Sequence, residues 1–311
     1  MGMTGPAAVR PPRRRWPRIA AGLSILALLV LFCLWRSASD QGGQKPAEPF
    51  RIAGNLYYVG ASDVAAFLLT GPRGHVLIDG GYPGTPPLIM DSIAKLGFKI
   101  TDVKLILNSH AHFDHAGGLA ALKEASGAQL WVSEGDSDAV ESGGARDSTL
   151  GPIRFLAAAG ILSYPAAKVD RRFGDGTVVR LGDINLTAHV TPGHTKGCTS
   201  WAIPVRDRGR DLLAVEICGL GVPPFESLAE PAARGDFQRS FRVLRSLPAD
   251  IYLAPHAREF GRWRKFHARS KGGDPAGPFI DRQGYRSAID RAEDEFRDRL
   301  KEQQRRQSVE Q

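Results

Sequence analysis

The sequence predicts an α/β (α+β) domain preceded by an N-terminal membrane helix. Three observations carry this. Short apolar runs recur from Phe50 onward, set off by Gly and Pro turns, as strands are. Between some of these runs apolar residues fall three and four apart, the helical period. Ahead of them all, Ile19 to Trp35 is 17 residues without a charge, behind a cluster of arginines.

The chain has 311 residues, enough for one large domain or two small ones with a sizeable core. Its formal net charge is +8, unevenly spread. Residues 1–36 hold six Arg and no acid, leaving 35 basic against 33 acidic residues in the rest. The basic balance is therefore an N-terminal feature and gives little support to nucleic-acid binding. Positive residues before an apolar run make either a signal peptide or a membrane anchor. Seventeen residues is long for a signal core and at the short edge for a spanning helix. Ser37-Ala38-Ser39 is a weak cleavage site, so an uncleaved signal anchor is favoured over cleavage. Cys33, inside the run, lacks the neighbours of a lipidation site. The expected organisation is a basic cytoplasmic segment 1–18, an anchor 19–36, a linker 37–50 and a folded domain 51–311. That domain faces the periplasm, tethered to the inner membrane or released after cleavage.

Within the domain, Leu56–Val59, Ala65–Thr70 and His75–Ile78 are strand candidates, and Asp79-Gly80-Gly81 ends the third. Leu88, Ile89, Ile93 and Leu96 fall on one helical face that closes at Gly97. Val103–Leu107 reads as a buried strand, Leu119–Glu124 as a helix and Gln129–Val132 as a strand. Ser133 to Asp170 is poorly patterned and reads as a helix plus an irregular loop able to cover a site. Thr177–Leu181 and Ile184–Val190 flank Gly182-Asp183, a hairpin signal. Thr199–Val205 and Leu212–Ile217 follow as strands, then a helix over Phe237–Leu247 and a last strand, Ile251–Leu253. Tyr285, Ile289, Ala292, Phe296 and Leu300 make an amphipathic terminal helix that packs on a sheet.

The loop after Val103–Leu107 carries the chemistry. His110, His112, Asp114 and His115 place four metal-competent side chains in six residues, and three of them are among the eight His of the chain. In extended backbone residues two apart point the same way, so His110 and His112 can grip one ion. Asp114 and His115 follow the turn and suit a second ion. His and carboxylate are the ligands of borderline metals, zinc above all. His194 and His256 each follow a strand candidate, beside Gly or Pro. The six ligands divide into two sets of three: His110, His112, His194 and Asp114, His115, His256. Each of two zinc ions then keeps an open position for water.

His110-Ala111-His112-Phe113-Asp114-His115, with Asp79-Gly80, resembles the signature of the metallo-β-lactamase superfamily. Tyr57 to Asp63, Thr191 to Trp201, Ala254-Pro255-His256 and Phe279 to Tyr285 resemble its third class B subclass. The resemblance spans about residues 50 to 300. It implies an αββα sandwich of two mixed sheets with helices on the outer faces. It further implies a monomeric, zinc-dependent hydrolase that opens a β-lactam amide by attack of a zinc-bound hydroxide, oriented by Asp114. Ser109 and Asp79 are candidates for holding the ligands in place, or are ordinary turn residues. Much of that subclass has substrate-contacting serines after the strand ending near 217. Here the loop reads Cys218-Gly219-Leu220-Gly221, leaving Gly219 and Gly221 as the substrate-facing positions.

Cys198 and Cys218 border the same site. A disulfide between them, two buried thiols, or Cys218 as an extra ligand are the three readings, the disulfide preferred. The run from Arg258 to Lys271 interleaves cations with Phe260, Trp263 and Phe266. It reads as a solvated loop whose aromatics pack down, or as an anionic-substrate surface reached by Arg258. The competing functions are a related di-zinc hydrolase of another ester, lactone or thioester, and a non-catalytic membrane-tethered binding protein. A nuclease is disfavoured by the near-neutral exported domain.

Overall fold

A computed structural model of the chain describes residues 44–160, 163–269 and 273–310. The anchor expected over 19–36 lies outside them. Among the described residues no helix is long and apolar enough to cross a membrane.

Two sheets form the interior. The first has seven strands in sequence order: β1 (Phe50–Ala53), β2 (Leu56–Tyr58), β3 (Phe67–Leu69), β4 (His75–Ile78), β5 (Val103–Leu107), β6 (Gln129–Ser133) and β7 (Arg171–Phe173). β1 to β4 pair antiparallel and β4 to β7 parallel. The second has five: β8 (Val178–Leu181), β9 (Ile184–Val190), β10 (Thr199–Asp207), β11 (Arg210–Glu216) and β12 (Ile251–Leu253). Their spatial order is β12-β11-β10-β9-β8, with only β12 parallel to its neighbour. Both sheets are of the expected kind, with helices packed against them.

The alternation of side chains along each strand builds this layering. In β4, Val76 and Ile78 join the core shared with the second sheet, while Leu77 joins the core under the outer helices. In β5, Leu105 and Leu107 face one way and Ile106 the other. Parallel strands covered on both faces read as nearly continuous apolar runs, which is why these were visible in the sequence despite His75 and Lys104. Helices Pro86–Lys95, Leu119–Ser126 and Glu134–Glu141 cover the first sheet through residues such as Ile89, Ile93, Leu119 and Val140. Helices Pro231–Ser246 and Arg282–Glu310 pack through Phe237, Phe241, Tyr285, Ile289 and Phe296.

Several boundaries differ from expectation. Phe50, assigned to the linker, opens β1 and pairs with Tyr58. β1 and β7 were not expected at all. They are the edge strands of the first sheet, and Arg51, Arg171 and Arg172 are exposed on them. An edge strand paired on one side needs no continuous apolar run. The stretch from Ser133 holds the helix Glu134–Glu141, then a 3₁₀ segment Ser148–Ile153 and a short helix Arg154–Ala158.

In the basic stretch the aromatics Phe260 and Phe266 pack down as expected and Arg258 and Arg264 are exposed, but part of it is helical rather than a loop. That part is the helix Arg262–Ala268, and Arg262 and Lys265 are buried. The Arg262 guanidinium lies 3.9 Å from the Trp263 ring centroid, 4.5 Å from Tyr58 and 5.3 Å from both Phe50 and Phe266. It also donates to the Glu48 carbonyl at 2.8 Å. Aromatic faces supply the negative potential that water would otherwise give. Lys265 pairs with Asp281 at 2.8 Å. Arg262→Ala should lower the unfolding free energy in urea by about 2–4 kcal/mol through lost packing. Arg262→Met, which keeps the stem, should lose less. Unchanged stability of the alanine variant would show that the ring box holds nothing together.

Candidate metal centre

β5 is apolar apart from the exposed Lys104 as far as Leu107 and then meets Asn108-Ser109, where pairing stops. The backbone stays extended to His112 (φ −67°, ψ 151°), and the helix Phe113–Ala116 begins at once. His110 and His112 therefore leave one side of the turn, and Asp114 and His115 leave another. His194 follows β9 and His256 follows β12. Asp79 follows β4 and takes a left-handed backbone, φ 66°. Four strand ends thus meet at one edge.

The three rings of His110, His112 and His194 surround one point. Their centroids are 4.9 Å apart for His110–His112 and His110–His194 and 4.6 Å for His112–His194. One nitrogen from each lies within 4.8 Å of the others. Beside them, Asp114 Oδ2 is 3.3 Å from His115 Nε2 and 3.5 Å from His256 Nε2. His110 and His115 are 4.3 Å apart by centroid, so the two groups adjoin. Donor atoms of His110, Asp114 and His115 also fall within 4.8 Å, and His256 joins this group through Asp114.

Each imidazole has its other nitrogen against a polar atom. His110 Nδ1 is 3.0 Å from Ser109 Oγ, and His112 Nε2 is 2.9 Å from Thr149 Oγ1. His194 Nδ1 donates to the Gly221 carbonyl at 2.7 Å. His256 Nδ1 is 3.2 Å from Asp63 Oδ2, and His115 Nδ1 is 3.5 Å from Asp79 Oδ2. Outer contacts of this kind fix ring orientation and tautomer in metal sites. Asp79 in turn accepts from Asn108 Nδ2 at 2.9 Å, Ser109 N at 2.7 Å and Ser109 Oγ at 2.6 Å.

The electrostatics differ between the groups. Burial, with the neighbouring imidazoles, holds His110 well below its ordinary pKa and His112 at about 3, and also lowers His194. These three are neutral ligands with free lone pairs. Burial opposes charge on His115 too, yet Asp114 and Asp79 prevail and raise it to about 10. Burial would raise Asp114, but His115 and His256 hold it below the ordinary carboxylate range. The second group is thus built around negative charge. Neither ring nitrogen of buried His115 makes an aligned hydrogen bond. Five imidazoles and one carboxylate, with these orphaned nitrogens, fit one or two divalent metal ions of the zinc class.

Cys198 and Cys218 form a disulfide with Cα atoms 5.8 Å apart. This removes the free-thiol and extra-ligand readings. Gly219 and Gly221, expected at the substrate, border His194, Gly219 through its Cα and Gly221 through its carbonyl. A Cβ on Gly219 would sit 2.5 Å from His194 Cδ2, so a side chain there would displace the ring. Arg258, placed at a substrate only in the alternative reading of the basic stretch, is engaged by Asp63 through both its backbone N–H and its guanidinium. Asp63 and Thr149 were missed because nothing local marks them. Glu216, fully buried with both carboxylate oxygens unpartnered, was also missed; burial and nearby Asp79 push its pKa far up.

Comparison with known proteins agrees with this geometry. A sequence model of the Metallo-beta-lactamase superfamily matches residues 59–208. The FEZ-1 metallo-beta-lactamase from Legionella gormanii is 40% identical, with a TM-score of 0.79 over 84% of this chain and 98% of that one. BJP-1, a subclass B3 metallo-beta-lactamase of Bradyrhizobium japonicum, is 35% identical, with a TM-score of 0.75 over 84% and 97%. A hydroxyacylglutathione hydrolase of Rhodopseudomonas palustris (strain BisB5) is 29% identical over 155 residues, 50% of this chain and 48% of that protein. The chain spans about half the length of the curated relatives it matches.

If Asp63 orients His256, Asp63→Ala should weaken metal binding at the Asp114 group by about 10- to 100-fold. Binding at the three-histidine group should be unchanged. Competition with a chromophoric chelator measures both, and equal losses at both would reject the assignment. By its sequence match and its likeness to solved structures along nearly their whole length, the chain belongs to the metallo-beta-lactamase superfamily and is a metallo-hydrolase of that family.

Proposed function

We propose that the chain is a zinc-dependent hydrolase that opens the amide bond of β-lactams. The observation that carries this is the two-group, six-donor site, set in a domain that matches 98% of the FEZ-1 chain at 40% identity. His110, His112 and His194 would hold one ion, and Asp114, His115 and His256 a second. Ions held there would acidify water and polarise a carbonyl oxygen.

The chain's own residues supply position and charge. Asp114, held anionic by His115 and His256 and half-buried, is an acceptor-only carboxylate beside His110, His115 and His256. It can orient an attacking water by accepting its hydrogen bond and can carry the proton released. Thr149 and Asp147 fix His112 from behind, with Asp147 Oδ2 3.7 Å from its Nε2. The disulfide and the Gly221 carbonyl hold the His194 turn to the loop after β11. Phe225 packs over Gly151, between the segments that carry Thr149 and Gly221, and is 47% exposed. It offers apolar surface for a substrate side chain at the rim.

A thioester substrate is the second reading. It is favoured by the hydroxyacylglutathione hydrolases among the relatives and by the serine-free loop at 218–221. The match to those relatives covers half their length, whereas the match to the lactamase structures is nearly complete, so the β-lactam reading leads. One chain carries all six donors, so the site needs no second copy to complete it, which supports a monomer. The domain is exported: a charge-free run follows the N-terminal arginines, and the Cys198–Cys218 disulfide suits an oxidising compartment.

Zinc-loaded protein should hydrolyse nitrocefin and a carbapenem. A chelator should abolish turnover and added zinc restore it. Asp114→Asn should lower kcat by about 10²- to 10⁴-fold. Fast hydrolysis of a hydroxyacylglutathione thioester with no β-lactam turnover would transfer the assignment to the second reading.

A further inference from the structure

We infer that Asp136 is the positioning residue of the three-histidine group, fixing with one carboxylate both chain segments that carry its ligands. The inference rests on the two-group reading above.

Asp136 lies in the first turn of the helix Glu134–Glu141, directly after β6, and is 3% exposed. Its Oδ2 accepts from the backbone N–H of Ala111 at 2.9 Å and from the Thr195 hydroxyl at 2.7 Å. Its Oδ1 accepts from the backbone N–H of Gly197 at 2.8 Å. Ala111 is the residue between His110 and His112, and Thr195 is the residue after His194. The carboxylate therefore joins the peptide that sets the spacing of two ligands to the turn that presents the third. These segments lie 84 residues apart from Ala111 to Thr195 in the chain and are carried by different sheets.

The contacts around it reinforce the same clamp. The Tyr164 hydroxyl donates to the Ala111 carbonyl at 2.7 Å, so that residue is held at both its N–H and its C=O. Ser133 Oγ donates to the Gly197 carbonyl at 2.6 Å. A Cβ on Gly197 would lie 2.4 Å from Asp136 N, so only glycine lets the His194 turn approach this closely. Among the described residues Asp136 has no ion pair, so three aligned donors are what compensates its buried carboxylate. A donor group that lost its partner here would be buried and unsatisfied, and the turn would move to recover one. None of its hydrogen bonds reaches Asp114, His115 or His256, so its influence is one-sided.

Two single-site backgrounds of the full chain test this. Asp114→Ala leaves the three-histidine group as the intact site, and His194→Ala leaves the Asp114 group. Asp136→Asn, which cannot accept all three donors, is added to each, and zinc affinity is read by chelator competition. In the Asp114→Ala background zinc should bind about 10- to 100-fold more weakly. In the His194→Ala background affinity should change less than about twofold, within what independent sites give. Thr195→Val removes one of the three donors and should give a smaller loss in the first background alone. It decides the matter should Asp136→Asn fail to fold. Parallel losses in both backgrounds, or no loss in the first, would overturn the inference as a merely structural carboxylate. Fewer than two zinc ions on the unsubstituted chain would instead remove the two-group reading on which it stands.

Discussion

β4, β5, β9 and β12 stop at one edge of the two sheets, and the chemistry depends on where each stops. A strand that ends one residue early or late turns its next side chain to the opposite face. The site is therefore fixed by the pairing of apolar strands well below it. Val76, Ile78, Leu105, Leu107, Leu186, Ala188 and Leu253 belong to a single shared core, which ties the ends of all four strands to one packed body. Interiors at this density do not deform continuously, so the ligands inherit the rigidity of the core.

What the core cannot supply is the direction of each imidazole. Hydrogen bonds do that, and they come from residues outside the strands. Ser109, Thr149, Gly221, Asp63 and Asp79 each stand behind a different histidine. Buried polar groups demand partners, so each of these contacts costs stability when broken and restrains geometry when made. The left-handed backbone of Asp79 is one local cost of the arrangement. The two groups differ in charge as well as in donors: neutral imidazoles on one side, a carboxylate and its paired histidines on the other.

The cluster of candidate donors was legible because its signal is local and dense: four metal-competent side chains fall between His110 and His115. The central strands were legible because burial on both faces leaves β4 and β5 mostly apolar, with His75 and Lys104 the exceptions near their starts. The rest was hidden by distance. Thr149 meets His112 across 37 residues, Asp63 meets His256 across 193, and Asp136 meets Gly197 across 61. No spacing rule connects such pairs. Arg262 and Lys265 looked like surface cations because the rings and acid that receive them come from elsewhere in the chain; Phe50 and Tyr58 lie some two hundred residues earlier. Edge strands β1 and β7 carry exposed arginines and so lack the pattern that marks a buried strand.

The central claim is geometric, and anomalous scattering at the zinc edge from crystals of zinc-loaded protein tests it directly. Two peaks are predicted, one ringed by His110, His112 and His194 and its neighbour by Asp114, His115 and His256. A single peak, or two peaks with His194 or His256 turned away from both, would contradict the account.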